Sequence, residues 1–496
     1  MVLLKRISVT ILFLFVTLHL LSKEIFVNSL DVLKENSIIP DISLIISSPI
    51  DLKNSSIHLS EGTTIRIADG KLFNGTVFGN STKLEVARNS CLGVIIRGRW
   101  IVPEITDLWF DDNYLDDNAM MSNINHLQSN EVDNSIHLFR NYEVNIDSTS
   151  HYAFVLSSNT SLHVHSTIKI KPNNYAKYGI VDITKRNNVS VDGGKIIGDV
   201  GKHGYITNST SEWGMGINIV ASQNVAIRNI SISRCTGDGI YLGGLRETSI
   251  SNFDNACKNI VIESVTCDNN RRQGMSIVHA KDVRVSRCVF SNTGQVEFVK
   301  PGHGVDIEPN VSKDRNMSVS DIYFMECVFT NNMSSDISTA HYYTTDSEAN
   351  IKGIFIKNSE FSSDITIRSG SFVIDNSTLT RIRVDISSRD LSDIEVRNSI
   401  ITGGLYLHSS VRDKEHPEYT GNLNNLVFMG CDFVNKTENK GKSILCLSGD
   451  ISRVKNLVFD DCKFDDKGKV NKKILNRERK GAYVFKNCTF KSEAKR

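Results

Sequence analysis

The sequence predicts an all-β parallel solenoid behind a β-rich N-terminal capping region, and three observations carry that prediction. Short strands of one pattern recur from about residue 188 to the C-terminus, a Cys-x-Phe pair returns at one phase of the repeat, and glycines mark a second set of strands. The repeat shows alternation of period two and no helical period.

In chain order, Lys5 and Arg6 precede the apolar run 7–21, the pattern of a secretory signal. Fifteen residues fall short of the about 20 that a membrane-spanning helix needs. The expectation is a secreted or periplasmic protein with no stable membrane span once residues 1–22 are removed. Residues 23–150 read as a β-rich cap with one short helix over 118–130, since an open solenoid end exposes core and unpaired strand edges. Residues 151–496 are the solenoid. Its strands open at Asn188, Asn224, Asn259, Asp282, Asp321, Gly353, Asp393, Asn425 and Asn456, with start-to-start spacings of 36, 35, 23, 39, 32, 40, 32 and 31. Each is a period-two strand behind a turn residue. The basic run 467–480 reads as a solvated loop.

Six residues after several starts come Cys288/Phe290, Cys327/Phe329, Cys431/Phe433 and Cys462/Phe464, with Cys488/Phe490 repeating the pair and Ser359/Phe361 in the same phase. Like residues at one phase stack coil upon coil, so these positions are expected in the core. The chain has ten cysteines. Their phase, shared with serine, makes free buried thiols the expectation, with bridges between adjacent coils as the alternative. No Cys-x-x-Cys spacing points to zinc. Lys+Arg is 57 and Asp+Glu 56, a net charge of +1 that gives no global field for nucleic acid or an anionic membrane. With 40% hydrophobic residues, seven prolines and a mean hydropathy of −0.19, the chain is neither disordered nor a polytopic membrane protein.

The second strand set aligns on Gly216, Gly239, Gly274 and Gly304. Alternation then sends Ile217, Ile240, Met275 and Val305 inward, and Asn218, Tyr241, Ser276 and Asp306 outward in one row. Val220, Gly243, Val278 and Glu308 form a second outward row, and Met215, Asp238, Gln273 and His303 precede the glycines. Glu212, Trp213, Arg271, Arg272 and His279 join them, so acids, aromatics, arginines and histidines converge on one face of four coils. A functional groove is expected there; His341, Arg368 and His408 lie near the same edge in later coils.

With these segments in place, the chain resembles the right-handed parallel β-helix, pectin-lyase-like superfamily, with polygalacturonase-type glycoside hydrolases the nearest named relatives. The architecture covers about residues 150–496, and the motifs cover 236–304. The sequence TGDG supplies Asp238 and GHG supplies His303, while Arg272-Gln273 stands where that family carries an aspartate pair. The resemblance implies a single-stranded right-handed parallel β-helix acting on a polysaccharide. Inverting hydrolysis uses acid and base carboxyls about 6.5–9.5 Å apart. Asp306 and Glu308 share a strand face at roughly 6.6–7 Å and would make a substitute pair. The same oxygens would also suit a hard cation such as calcium. Arginines in place of aspartates suit an anionic sugar, because elimination must neutralise the uronate carboxylate and remove the adjacent proton. In that scheme Arg271 and Arg272 fork onto the carboxylate, His303 or His279 is the base, Tyr241 donates a proton and Trp213 stacks a sugar ring. Asp238, Arg272, His303 and Asp306 are the expected catalytic residues. Glu212, Trp213, Tyr241, Arg271, Gln273, His279 and Glu308 are the expected substrate contacts. The expected function is cleavage of an acidic, uronate-containing glycan, elimination ahead of hydrolysis. A C5-epimerase and a non-catalytic glycan-binding or structural β-helix are the other classes.

Overall fold

The computed structural model describes residues 23–88, 90–207, 209–245, 255–312, 315–339, 351–386, 390–409, 421–434, 444–449, 451–465 and 483–491. The apolar run 7–21, His341 and the basic run 467–480 lie outside the described residues. Contacts divide the chain into two units, one up to residue 144 with 156–166, the other 145–155 with 167 onward.

The first unit is built on a parallel sheet. Strand Lys23–Val27 pairs with Ile42–Ile46, which pairs with Thr64–Ile67, which pairs with the long strand Lys71–Val86; Cys91–Ile101 and Pro49–His58 also join that strand. The expected helix spans Asp117–Leu127. The Asp116 side chain caps it, accepting from the Ala119 N–H at 2.8 Å. Its buried face carries Met120, Met121, Ile124 and Leu127. Asn123, also buried, accepts from the Ile96 N–H at 2.8 Å and donates to the Val94 carbonyl at 2.9 Å, fixing the helix on strand Cys91–Ile101. A second helix, Leu30–Asn36, was not expected: at seven residues with one buried side chain, Leu33, it leaves no periodic signal to read. Among the described residues, no helix is long and apolar enough to cross a membrane.

The second unit coils. Trp213–Val220, Gln223–Arg228 and Ser231–Ser233 lie in three different sheets, and the chain then steps to Asp238–Gly243 beside Trp213–Val220. Repetition of that step builds three parallel sheets, here sheets I, II and III in the order the chain visits them. Among the described residues sheet I has eleven strands, from Tyr152–Val155 to Leu445–Gly449. This is a single-stranded right-handed parallel β-helix.

From Asp192 onward the corner from sheet II to sheet III takes two residues at each described step, as between Arg228 and Ser231, Ser286 and Val289, or Lys486 and Thr489. The first of the two is left-handed at each of these steps, with φ from 46° at Asn376 to 82° at Gly193. The second points inward, and this is the column of Cys288, Cys327, Ser359, Ser377, Ser399, Cys431 and Cys462, all buried. The Cys327 thiol donates to the Met325 carbonyl at 3.4 Å and the Ser359 hydroxyl to the Lys357 carbonyl at 2.9 Å, the same carbonyl two residues back. A small side chain with one donor fits, and cysteine or serine takes the position at each described corner from Cys288 on, where earlier corners carry Gly194, Ile230 and Val265; all ten cysteines are free thiols. By contrast, connections from sheet I to sheet II run from two residues (Val220 to Gln223) to thirteen (Gly243 to Cys257). Those from sheet III to sheet I run from one (Leu379 to Arg381) to fifteen (Ile197 to Trp213).

The nine strand openers, Asn188 through Asn456, all have φ between 52° and 65°. Asn, Asp and Gly tolerate that region best, which gives the repeat its spelling. The ladder skips each opener: Lys258 pairs with Lys281, then Ile260 with Val283. Inside, Phe290 stacks on Phe329 at 5.2 Å, and Phe329 on Phe361 at 4.6 Å. Phe329→Ala should therefore cost about 3–5 kcal/mol in denaturant unfolding. Phe490, 46% exposed on the last described coil, should cost far less when replaced in the same way.

Candidate active-site groove

The glycine column lies at the start of the sheet I strands and faces inward. A Cβ at Gly216 would stand 2.5 Å from the Gly239 carbonyl oxygen, and at Gly239 and Gly304 2.6 Å from the Gly274 and Asp336 oxygens. The next coil's backbone passes too close for any side chain. The register follows the glycines: Ile217, Ile240, Met275 and Val305 are neighbours inside, while Asn218, Tyr241, Ser276 and Asp306 are neighbours outside. Asp238, Gln273 and His303 are likewise adjacent on three coils.

Arg272 is the hub of this face. Its Nη1 donates to both Asp238 carboxylate oxygens at 3.2 Å. Its Nη2 lies 3.5 Å from Glu308 and its Nε 3.8 Å from Glu212. The Asp238 side chain is wholly buried and that of Arg272 is 11% exposed, whereas Glu212 and Glu308 keep 24% and 22% of theirs in solvent. Burial works against the guanidinium charge, but Asp238, Glu308, Asp306 and Glu212 outweigh it and hold Arg272 protonated. Burial raises the Asp238 carboxyl, and Arg272 offsets this only in part.

Asp306 is buried beside this cage. Its Oδ2 accepts from Gln273 Nε2 at 2.9 Å, while Oδ1 is buried without a hydrogen-bond partner among the described residues. Burial first, and the neighbouring Glu308 carboxylate second, push Asp306 well above the ordinary carboxylate range. It therefore holds a proton beside Glu308.

Several expected roles do not survive this geometry. The His303 Nδ1 accepts the Ser335 N–H at 3.1 Å, so the neutral ring carries its proton on Nε2 and has no lone pair to offer as a base. Burial, with Arg368 and Arg272 nearby, brings its pKa down to about 3. Gln273 is buried with both ends of its amide used, one on Asp306 and the other accepting the His303 N–H at 2.8 Å. It braces the coils and leaves nothing for a substrate. His279 is buried, its Nδ1 at 3.0 Å from both the N–H and the carbonyl of Ser318, which ties the ring to the backbone away from the Arg272 cage. Arg271 does not join Arg272. It lies over the Tyr205 ring at 4.4 Å and donates to the Thr210 carbonyl at 2.8 Å, holding the loop that leads to Glu212, and Tyr205 in turn meets Glu297.

A cleft of about 410 Å³ opens beside the cage, lined among others by Trp213, Tyr241, Tyr152, Lys177 and Asn218. Trp213 joins the two, its ring 5.7 Å from the Arg272 guanidinium carbon. Burial, then Asp238, raises the Tyr241 phenol, which keeps its proton. Asp182 stands behind the cleft, accepting from Thr184 Oγ1 and Asn218 Nδ2 at 2.7 Å each. Tyr152, Lys177 and Asp182 escaped the sequence reading because Gly179 pairs with Met215, one position off the glycine column that marked the other strands.

The cage does not suit calcium. Its acids already surround a cation, the Arg272 guanidinium, which would repel a divalent ion placed between them. Among the described residues no group of three or more His, Cys, Asp or Glu side chains is arranged to hold a metal ion.

Coils and register together define the class: a right-handed parallel β-helix. No family model matches the chain. It is 29% identical over 302 residues to the uncharacterized protein YclG of Bacillus subtilis, a match covering 58% of this chain and 46% of YclG. To the SPbeta prophage-derived uncharacterized protein YorA of the same organism it is 26% identical over 224 residues, covering 43% and 37%. The matches span less than half the length of these curated relatives. Among solved structures, the Agl-KA catalytic domain superposes with a TM-score of 0.52 at 11% identity, covering 79% of this chain and 68% of that one. The A-module of the Azotobacter vinelandii mannuronan C-5 epimerase AlgE6 gives 0.48 at 12%, covering 73% and 91%. At 11% identity the likeness to the Agl-KA domain is one of fold.

Proposed function

We propose that the second unit hydrolyses a glycosidic bond of a polysaccharide lying across the outer face of sheet I. One observation carries the reading: Glu212 and Glu308, both reaching solvent, bracket a single guanidinium beside an aromatic cleft. Both carboxylates contact one planar group, at 3.8 Å and 3.5 Å, so they stand no more than about 9–10 Å apart, overlapping the about 6.5–9.5 Å of inverting glycosidases. Glu308 would relay the proton held by Asp306 to the leaving oxygen, becoming a carboxylate again as Asp306 gives its proton up, and Glu212 would take one from the attacking water. Arg272 and Asp238 hold the pair in place, and Trp213 offers a face for a sugar ring. Elimination, the expectation from sequence, needs a free cation beside the unit that reacts, and Arg272 is already committed to Asp238, Glu212 and Glu308.

A panel of neutral and acidic polysaccharides incubated with the protein should release reducing ends of inverted anomeric configuration, with no ultraviolet absorbance from an unsaturated product. Unsaturated ends would overturn hydrolysis in favour of elimination. Binding without any cleavage would overturn the enzymatic reading.

A further inference from the structure

The cleft holds a cation that the hydrolytic reading does not use. Lys177 pairs with Trp213 in the ladder between Lys177–Thr184 and Trp213–Val220, and both line the cleft. Among the described residues it is the one cationic side chain that lines the cleft, it is exposed, and no ion pair engages it. Asp182, five residues along the same strand, is buried and engaged by Thr184 and Asn218. The rest of the lining is aromatic, apolar or uncharged polar, and a volume of about 410 Å³ lies within the roughly 300–1,000 Å³ of small-ligand sites. Beyond Trp213 the electrostatics reverse: the cage sets Glu212, Asp238 and Glu308 against Arg272 alone. An anion is repelled at the cage and attracted at the cleft.

We infer that the cleft is the subsite for an acidic sugar unit, its ring on Trp213 and its carboxylate or sulfate on the Lys177 ammonium. The unit whose bond breaks is then uncharged, and the substrate is a heteropolysaccharide carrying its acidic residue on the N-terminal side of the cage, one or two coil steps or roughly 5–10 Å away. A lysine serves this purpose as a point charge that follows the anion's position. That placement relative to the cleaved bond rests on the hydrolytic reading; occupancy of the cleft does not.

Equilibrium binding, which needs no turnover, separates the two. The probes are oligosaccharides of galacturonate, hyaluronan and chondroitin sulfate, each beside its carboxyl-reduced or desulfated counterpart. At least one anionic probe should bind 10-fold or more tightly than its neutral counterpart, and the carboxylate and sulfate arms identify the group. Lys177→Gln should erase that difference, a loss of about 10–100-fold confined to the anionic probe, and Lys177→Arg should keep most of it. Lys177 is exposed, so the fold is not at stake. Equal binding of charged and neutral partners, or an equal loss for both in Lys177→Gln, would overturn the inference. Charge-selective binding without release of reducing ends would sustain the subsite and sink the hydrolytic reading instead.

Discussion

Glu308→Gln should lower kcat by about 10²–10⁴-fold with little change in binding, because it removes the solvent-reaching member of the Asp306–Glu308 pair and with it the proton for the leaving group. Glu212→Ala should be comparably slow, but formate should restore part of its rate by standing in for the missing base. Formate should not restore Glu308→Gln, whose defect is the acid. Turnover at saturating substrate, read as reducing ends, makes both measurements. Full activity in either variant would remove the pair from the mechanism.

Arg272→Ala should be damaging to the fold before it is damaging to the chemistry. It leaves the Asp238 carboxylate buried with no cation, and removing one partner of a buried ion pair costs about 3–5 kcal/mol. The sign of its pH dependence follows from the raised carboxyls. Asp238 and Asp306 both sit above their ordinary range in the native state, so they favour the folded protein when protonated and oppose it when ionised. The loss in Arg272→Ala should therefore be largest at neutral and alkaline pH and shrink as pH falls into the carboxylate range. Thermal unfolding of both proteins across that span tests it. A pH-independent difference would mean that Arg272 contributes packing rather than charge.

What could be read from the sequence was whatever repeats. The left-handed openers, the inward Cys/Ser corner and the glycine column each rest on a local backbone requirement met once per coil, so identical needs select like residues at one phase. Asp238, Gln273 and His303 were placed on adjacent coils by that register alone. Direction of a long side chain is not periodic. Arg271 and Arg272 are neighbours in sequence, yet one stacks on Tyr205 and the other is clamped by carboxylates; alternation cannot say which. Nor does a sequence report that the Ser335 N–H occupies the His303 lone pair, since that bond joins residues 32 apart through their coils. The roles that changed, base to brace and ligand to counter-ion, are all of this kind.

The fixed two-residue corner between sheets II and III has an evolutionary consequence. One residue more or less there would turn the following strand inside out, and the mismatch would pass to every coil above it. The other two connections border sheet I on either side and range from one residue to fifteen without disturbing that count. The irregularity that spreads one coil's length from 18 residues (Ile354 to Phe372, a coil that the repeat spacing of 40 hides) to 39 (Val283 to Ile322) thus falls along the banks of the groove. Inheritance can rewrite those banks loop by loop, narrowing or widening what may lie between them, while the spine behind them keeps its arithmetic. Recombination can also add or drop a whole turn, lengthening the track for a polymer by one rung at a time.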